Sequence, residues 1–189
     1  MNNQSINLET MTIASAGKLI QEQKISIERL TQATLEQVHV TEPKINAFIT
    51  VLANEAMQNA QMLDKEIAEG KYRGLLHGIP IGLKDIIDMK GVLTSNGSQF
   101  SHNTLAEKDA TVTSKLAENG AVIVGKLNLH EFAFGTSSVN PHYGPVKNPW
   151  NIKHVSGGSS GGSAAAIAAN SCLGTIGTDT GGSIRIPAS

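Results

Sequence analysis

Two glycine runs in this chain carry serines, Gly157-Gly158-Ser159-Ser160-Gly161-Gly162-Ser163 and, further on, Gly181-Gly182-Ser183. Well upstream stands Lys84, preceded by Ile79-Pro80-Ile81-Gly82-Leu83 and followed, after Asp85, by Ile86 and Ile87. Glycine lets the backbone approach a ligand closely and aim its N–H groups at developing negative charge. A hydroxyl held in such a turn is a candidate nucleophile. A lysine in apolar surroundings has its ammonium disfavoured by burial and becomes a base near neutral pH. Together the residues point to serine hydrolysis run by a lysine, with the two serine-bearing runs unranked. The competing reading of Lys84 is a strand-end lysine that snorkels to water or pairs with Asp85 or Asp88.

Other uses of the glycines fit less well. A phosphate loop needs Gly-x-x-x-x-Gly-Lys-Ser/Thr, but Gly157 through Gly162 is followed by Ser163 and Ala164, so the phosphate-binding lysine is missing. No Gly-x-Gly-x-x-Gly follows a clear strand, which argues against dinucleotide binding. Gly158-Ser159-Ser160-Gly161-Gly162 satisfies the nucleophile-elbow pattern with Ser160 as nucleophile, yet that pattern needs an acid and then a histidine downstream. All six histidines, His39, His77, His102, His130, His142 and His154, precede it. None has metal-ligand spacing, and each reads as a surface or supporting residue. A flexible Gly/Ser linker is disfavoured because the run feeds directly into Ala164-Ala165-Ala166-Ile167-Ala168-Ala169, a helix-forming series.

The elements that must position these residues fall into two stretches. Over the first seventy residues, Ile13, Ala16, Leu19 and Ile20 recur at helical spacing, as do Ile27, Leu30, Ala33, Leu35 and Val38 after a Ser26 cap, with Pro43 as the stop. A short strand is expected over 45–52 and a helix over 53–69 ended by Gly70. From about residue 71 the pattern becomes an α/β core: a strand over 79–87, interrupted by Pro80 and Gly82 and so near an edge or a site, and a helix capped by Asp109 and stopped at Gly120. A buried strand over 121–124 ending at Gly125-Lys126, a small-residue helix over 163–170 and a strand over 172–177 complete it. The expected division is a helical layer over 1–70 and a core over 71–189.

A 189-residue chain that is 40% hydrophobic can bury a core. Its formal net charge of −1, without a run of Lys and Arg, and its 4% aromatic content argue against direct nucleic-acid binding. The single cysteine, Cys172, excludes an internal disulfide and reads as a buried small hydrophobe; no metal and no cofactor are expected. The polar opening Asn2, Asn3, Gln4, Ser5 lacks a signal pattern and no apolar run reaches spanning length, so a cytoplasmic protein without membrane contact is expected.

Four linked motifs, Gly78-Ile79-Pro80-Ile81-Gly82-Leu83-Lys84-Asp85, Asn148-Pro149-Trp150-Asn151, the run from Gly157 to Ala166, and Gly177-Thr178-Asp179-Thr180-Gly181-Gly182-Ser183-Ile184-Arg185, resemble the amidase signature family from about residue 10 onward. The resemblance implies a mixed β-sheet sandwiched by helices and a Ser-cisSer-Lys triad: Ser183 as nucleophile, Ser159 as bridging serine after a cis Gly158–Ser159 peptide, Lys84 as terminal base. It also implies an oxyanion hole from the backbone N–H groups of Thr180, Gly181, Gly182 and Ser183. Asp179 and Arg185 would fix the nucleophile's loop, Phe134, Gly135 and Thr136 would border the acyl pocket, and Ser160 and Ser163 would shape the glycine loop.

Two branches of the family fit: amidases that hydrolyse a small amide, and the glutaminase component of the glutamyl/aspartyl-tRNA amidotransferase, which frees ammonia from glutamine for partner subunits. The stretch from Asn128-Leu129-His130-Glu131-Phe132 to Asn140-Pro141-His142 is closer to the hydrolases. A third reading, of another class, is an N-terminal fragment or interaction module, because family members run well beyond Ile186-Pro187-Ala188-Ser189.

Overall fold

The computed structural model describes residues 6–101 and 105–189; the polar residues 2–5 and His102 lie outside them. Helix α1 (Ile13–Gln21) begins at a capping box in which Thr12 Oγ1 accepts the Ser15 amide while Ser15 Oγ accepts the Thr12 amide. Helix α2 (Ile27–Ile45) starts on the expected Ser26 cap, whose Oγ accepts from Arg29 N at 3.1 Å. A carboxylate reinforces that end: Asp64 accepts from Ile27 N and Glu28 N at 2.7 and 2.9 Å. Pro43 does not stop α2 but lies inside its last turn. The stop is Asn46, left-handed at φ 54°, and the Glu42 carboxylate just before Pro43 takes the next two amides, Ala47 N and Phe48 N.

Strand β1 is shorter than expected (Phe48–Val51), and helix α3 (Ala53–Ala68) ends where Gly70 turns the chain at φ 78°. Next come β2 (Pro80–Lys84), α4 (Thr111–Glu118) and β3 (Val122–Leu127), which runs through Gly125-Lys126 rather than ending there. Asp109 is not the cap of α4. Its carboxylate accepts from Lys90 N at 2.6 Å, anchoring the preceding loop, and Ala110 occupies the cap position without a side-chain bond. Two small hairpins, β4 (Val139–Asn140) with β5 (Gly144–Pro145) and β6 (Lys147–Asn148) with β7 (Asn151–Val155), lead to α5 (Gly161–Ala168), β8 (Gly174–Ile176) and α6 (Arg185–Ala188).

The main sheet is mixed, in the order β1-β3-β2-β8, with β1 antiparallel to β3 and the other pairs parallel. Thus β1, from within the first seventy residues, is part of the same sheet. Strand β2 is interior and fully buried, and Pro80 is tolerated as its first residue. Side chains alternate across a strand. On one face of β2 a Cβ at Gly82 would stand 2.7 Å from Leu127 and 3.2 Å from Cys172 Sγ, the face on which Lys84 also lies. On the other, Ile81 packs where a Cβ at Gly174 would meet it and Ile13 of α1. Helices therefore cover both faces, with α5 against β2 and β8 and α3 against β3.

Gly125 marks the tightest strand contact, since a Cβ there would lie 2.5 Å from Thr50 O and 2.8 Å from the Phe48 ring. Gly125→Ala is expected to lower stability by about 1–3 kcal/mol, the usual cost of overpacking. Gly181→Ala, where nothing lies within 4 Å, should stay within about 0.5 kcal/mol of the parent. Urea melts compare the two; equal midpoints would show that β1 and β3 can separate at no cost.

Candidate active site

Strand β2 delivers Lys84 into the interior, where the side chain is 0% exposed. Its Nζ lies 2.8 Å from Ser159 Oγ, 2.9 Å from Ser160 Oγ and 2.8 Å from Thr178 Oγ1. No carboxylate among the described residues reaches it: Asp85 lies against Lys126 instead, so the sequence alternative of a snorkelling or Asp-paired lysine does not hold. Burial lowers the Lys84 pKa to about 8, with the Asp179 charge acting in the opposite direction.

The three hydroxyls are not equivalent. Ser160 Oγ donates to Thr178 O at 3.0 Å, so its single proton is committed. Ser159, 0% exposed, donates to no carbonyl or carboxylate among the described residues. When Lys84 is neutral, Ser159 Oγ can therefore turn its proton toward Nζ. The Gly158–Ser159 peptide is cis, as the resemblance implies.

The glycines around these serines are there for close approach. A Cβ at Gly158 would fall 2.5 Å from Ser138 Oγ and 2.7 Å from Ser138 N, and one at Gly162 would collide with the carbonyls of Asn128 and Ala47. Helix α5 consequently starts at Gly161, two residues earlier than expected, and Ser163 lies within it, its Oγ 3.4 Å from Ile176 O. The strand expected over 172–177 contracts to β8, and Cys172 is buried in front of it, which pushes its thiol pKa up.

Asp179 organises the second serine loop. Its carboxylate accepts from Gly182 N, Ile184 N and Arg185 N at 2.8, 3.0 and 3.1 Å and is held by the Arg185 guanidinium at 2.9 and 3.1 Å. The Arg185 hydrogen bond, with these amides, depresses the Asp179 pKa strongly. Because the shift is downward, the closure is complete above the ordinary aspartate range and is lost only as pH falls below it. Ser160 N donates to Ser183 O at 3.0 Å, which ties the Ser183 backbone to Ser160. The half-buried Ser183 side chain makes no hydrogen bond among the described residues. Gly182 N is committed to Asp179, whereas the amides of Thr180, Gly181 and Ser183 have no internal acceptor among the described residues.

Phe134, Gly135 and Thr136 sit on a segment tied to Ser159 at both ends. His130 N donates to Ser159 O at 3.1 Å and Ser138 Oγ donates to the same carbonyl at 3.3 Å. Phe134 is 90% exposed, and Gly135 leaves room for the His130 ring, which a Cβ would strike. Sequence reasoning missed Thr178, Ser138 and Lys126. Thr178 is the nearest to legible, since it sits beside Asp179 in the same motif. It also placed all histidines at the surface or in support. His77 is fully buried instead, with Nδ1 taking the Arg73 amide and Nε2 3.3 Å from Leu63 O, so both ring nitrogens are satisfied.

The site is a buried lysine among hydroxyls, set beside a glycine-containing loop folded around an aspartate. A family model described as Amidase matches residues 29–189, and the chain belongs to that family of enzymes. It is 50% identical over 163 residues to the A subunit of glutamyl-tRNA(Gln) amidotransferase from Acaryochloris marina, covering 86% of this chain and 34% of that protein. Its fold matches the peptide amidase of Stenotrophomonas maltophilia with a TM-score of 0.90 at 36% identity, over 95% of this chain and 38% of that one. It matches the corresponding glutamyl-tRNA(Gln) amidotransferase protein of Thermotoga maritima with a TM-score of 0.80 at 36% identity, over 98% and 37%. The chain spans about a third of the length of the curated relatives it matches. No helix among the described residues is long and apolar enough to cross a membrane.

Asp179→Ala is expected to free the amides of Gly182, Ile184 and Arg185, accelerating their hydrogen exchange while α2 and α3 keep parental protection. Unchanged exchange at those three amides would mean the loop holds without the carboxylate.

Proposed function

We propose that the chain carries the reactive centre of a serine amidase that cleaves a carboxamide C–N bond through an acyl-enzyme. The observation that carries this reading is the buried Lys84, hydrogen-bonded to Ser159 and to no carboxylate among the described residues. Neutral Lys84 takes the proton of Ser159 as Ser159 takes that of Ser183, and Ser183 Oγ attacks the amide carbonyl. The oxyanion receives the free amides of Thr180, Gly181 and Ser183, with Gly182 left out because Asp179 holds it. As the tetrahedral intermediate collapses, the C–N bond breaks and the proton returns through Ser159 to the leaving nitrogen. Water, deprotonated by the same relay, then releases the acid. Asp179 and Arg185 hold the nucleophile's loop, and Phe134, Gly135 and Thr136 border the acyl side.

A second reading is favoured by the curated relatives, which at 46–50% identity are components of a glutamyl-tRNA(Gln) amidotransferase. In it the amide is glutamine and the ammonia passes to partner subunits. The chemistry at Ser183 is the same in both. The hydrolase reading rests on the motif around His130; in either case the protein acts in the cytoplasm, without direct nucleic-acid contact by this segment. The third reading, an inactive N-terminal piece, is tested by turnover of the 189-residue chain alone, and any measurable ammonia release would overturn it.

In a chain extended to the relatives' length, Ser183→Ala is expected to abolish acyl-enzyme formation, a loss on the order of 10⁶-fold. Lys84→Ala should cost a similar amount. Acylation should rise with pH through about 8 as Lys84 loses its proton. Retained turnover in either variant overturns the assignment. Ammonia release from glutamine compared with simple carboxamides, with and without amidotransferase partner subunits, separates the two substrates.

A further inference from the structure

The protein buries two lysines completely, and they sit on opposite faces of one sheet. Lys84 of β2 is in register with Leu127 of β3, while Lys126 is in register with Leu83. Asp85 N continues the ladder by donating to Leu127 O, so by alternation Asp85 faces the Lys126 side, away from Lys84. There the Asp85 carboxylate meets Lys126 Nζ at 2.8 Å, and Ser95 gives it both its amide, at 3.0 Å, and its hydroxyl. Lys126 Nζ completes its shell with Leu93 O at 3.1 Å and Thr94 Oγ1 at 3.0 Å. One buried lysine thus has a carboxylate and the other has only hydroxyls.

We propose that Asp85 and Lys126 are positioning residues for Lys84: their mutual neutralisation behind β2 keeps a buried carboxylate and a buried ammonium, both within one residue of the base along or across the ladder, from biasing its charge. The proposal rests on reading Lys84 as the proton acceptor, but it concerns the field at Lys84 and is tested without catalysis. The other charged or titratable groups on the described elements around Lys84 are Asp179, which is paired with Arg185, His130 and Glu131 on the segment bonded to Ser159, the latter paired with His142, and Cys172 beside Gly82.

The signs are distinct for each change. Asp85→Asn leaves a buried ammonium near Lys84 and opposes its charged form, so the Lys84 titration moves down. Lys126→Met leaves a buried carboxylate, and the titration moves up. Charges of this kind about 10 Å apart at an effective dielectric of about 20 shift a neighbour by about one pH unit. The double variant Asp85→Asn/Lys126→Met removes both charges and should titrate within a few tenths of a unit of the parent.

The experiment is lysine-selective NMR of the 189-residue chain labelled at lysine Cε, with the Lys84 signal assigned by its loss in Lys84→Met. The expected parental midpoint is about 8. Opposite shifts in the two single variants and none in the double support the proposal. Asp85→Asn is isosteric and keeps the Ser95 contacts, so it decides alone if Lys126→Met does not fold. A Lys84 midpoint unmoved in Asp85→Asn would overturn the proposal whatever becomes of stability. Failure of the catalytic reading shows up separately, as turnover retained without Lys84.

Discussion

The site depends on keeping one lysine dry without giving it a carboxylate. A carboxylate about 4 Å from Lys84, at an effective dielectric of about 20, would favour the ammonium by about 4 kcal/mol, roughly three pKa units. That would more than cancel the depression that burial produces. The protein avoids this by two means. It surrounds Nζ with Ser159, Ser160 and Thr178, neutral hydroxyls in place of a carboxylate, and it engages both nearby aspartates elsewhere. Asp85 is held by Lys126 and Ser95, and Asp179 by Arg185 and three backbone amides.

Bringing three hydroxyls to one nitrogen from two separate loops requires the backbones to approach more closely than side chains allow. Gly158 and Gly162 provide this for the first loop, which is pressed against Ser138, Asn128 and Ala47. The second loop is drawn in by Ser160, which receives Thr178 N, donates to Thr178 O, and through its own amide binds Ser183 O. Ser160 matches the elbow pattern in the sequence, yet its hydroxyl proton is committed to a carbonyl. A hydroxyl in that position is a structural clamp.

Much of this is legible in the sequence where it rests on local chemistry. The Ser26 cap, the Gly70 stop and the burial of Lys84 and Cys172 all follow from neighbouring residues, and each appears as expected. The misreadings come where a distant partner outcompetes the local one. Asp109 serves Lys90 N instead of its own helix, and α2 outruns Pro43 because Asn46 and Glu42 close it later. His77 is internal because Arg73 and Leu63 satisfy its ring. The Asp85–Lys126 pair depends on the register between two strands, which no short motif encodes.

The order of the two serines illustrates the same limit. From residue types alone Ser159 and Ser183 are interchangeable, and only the resemblance ranks them. In the proposed chemistry the two need different surroundings. A relay must be dry, so that its proton has one route, and Ser159 is fully buried against Lys84. A nucleophile must be reachable, and Ser183 is half-buried beside amides with no internal acceptor among the described residues, on a loop whose shape is set by Asp179. Accessibility, a property of the folded loop, thus separates two identical side chains in the way the proposed chemistry requires.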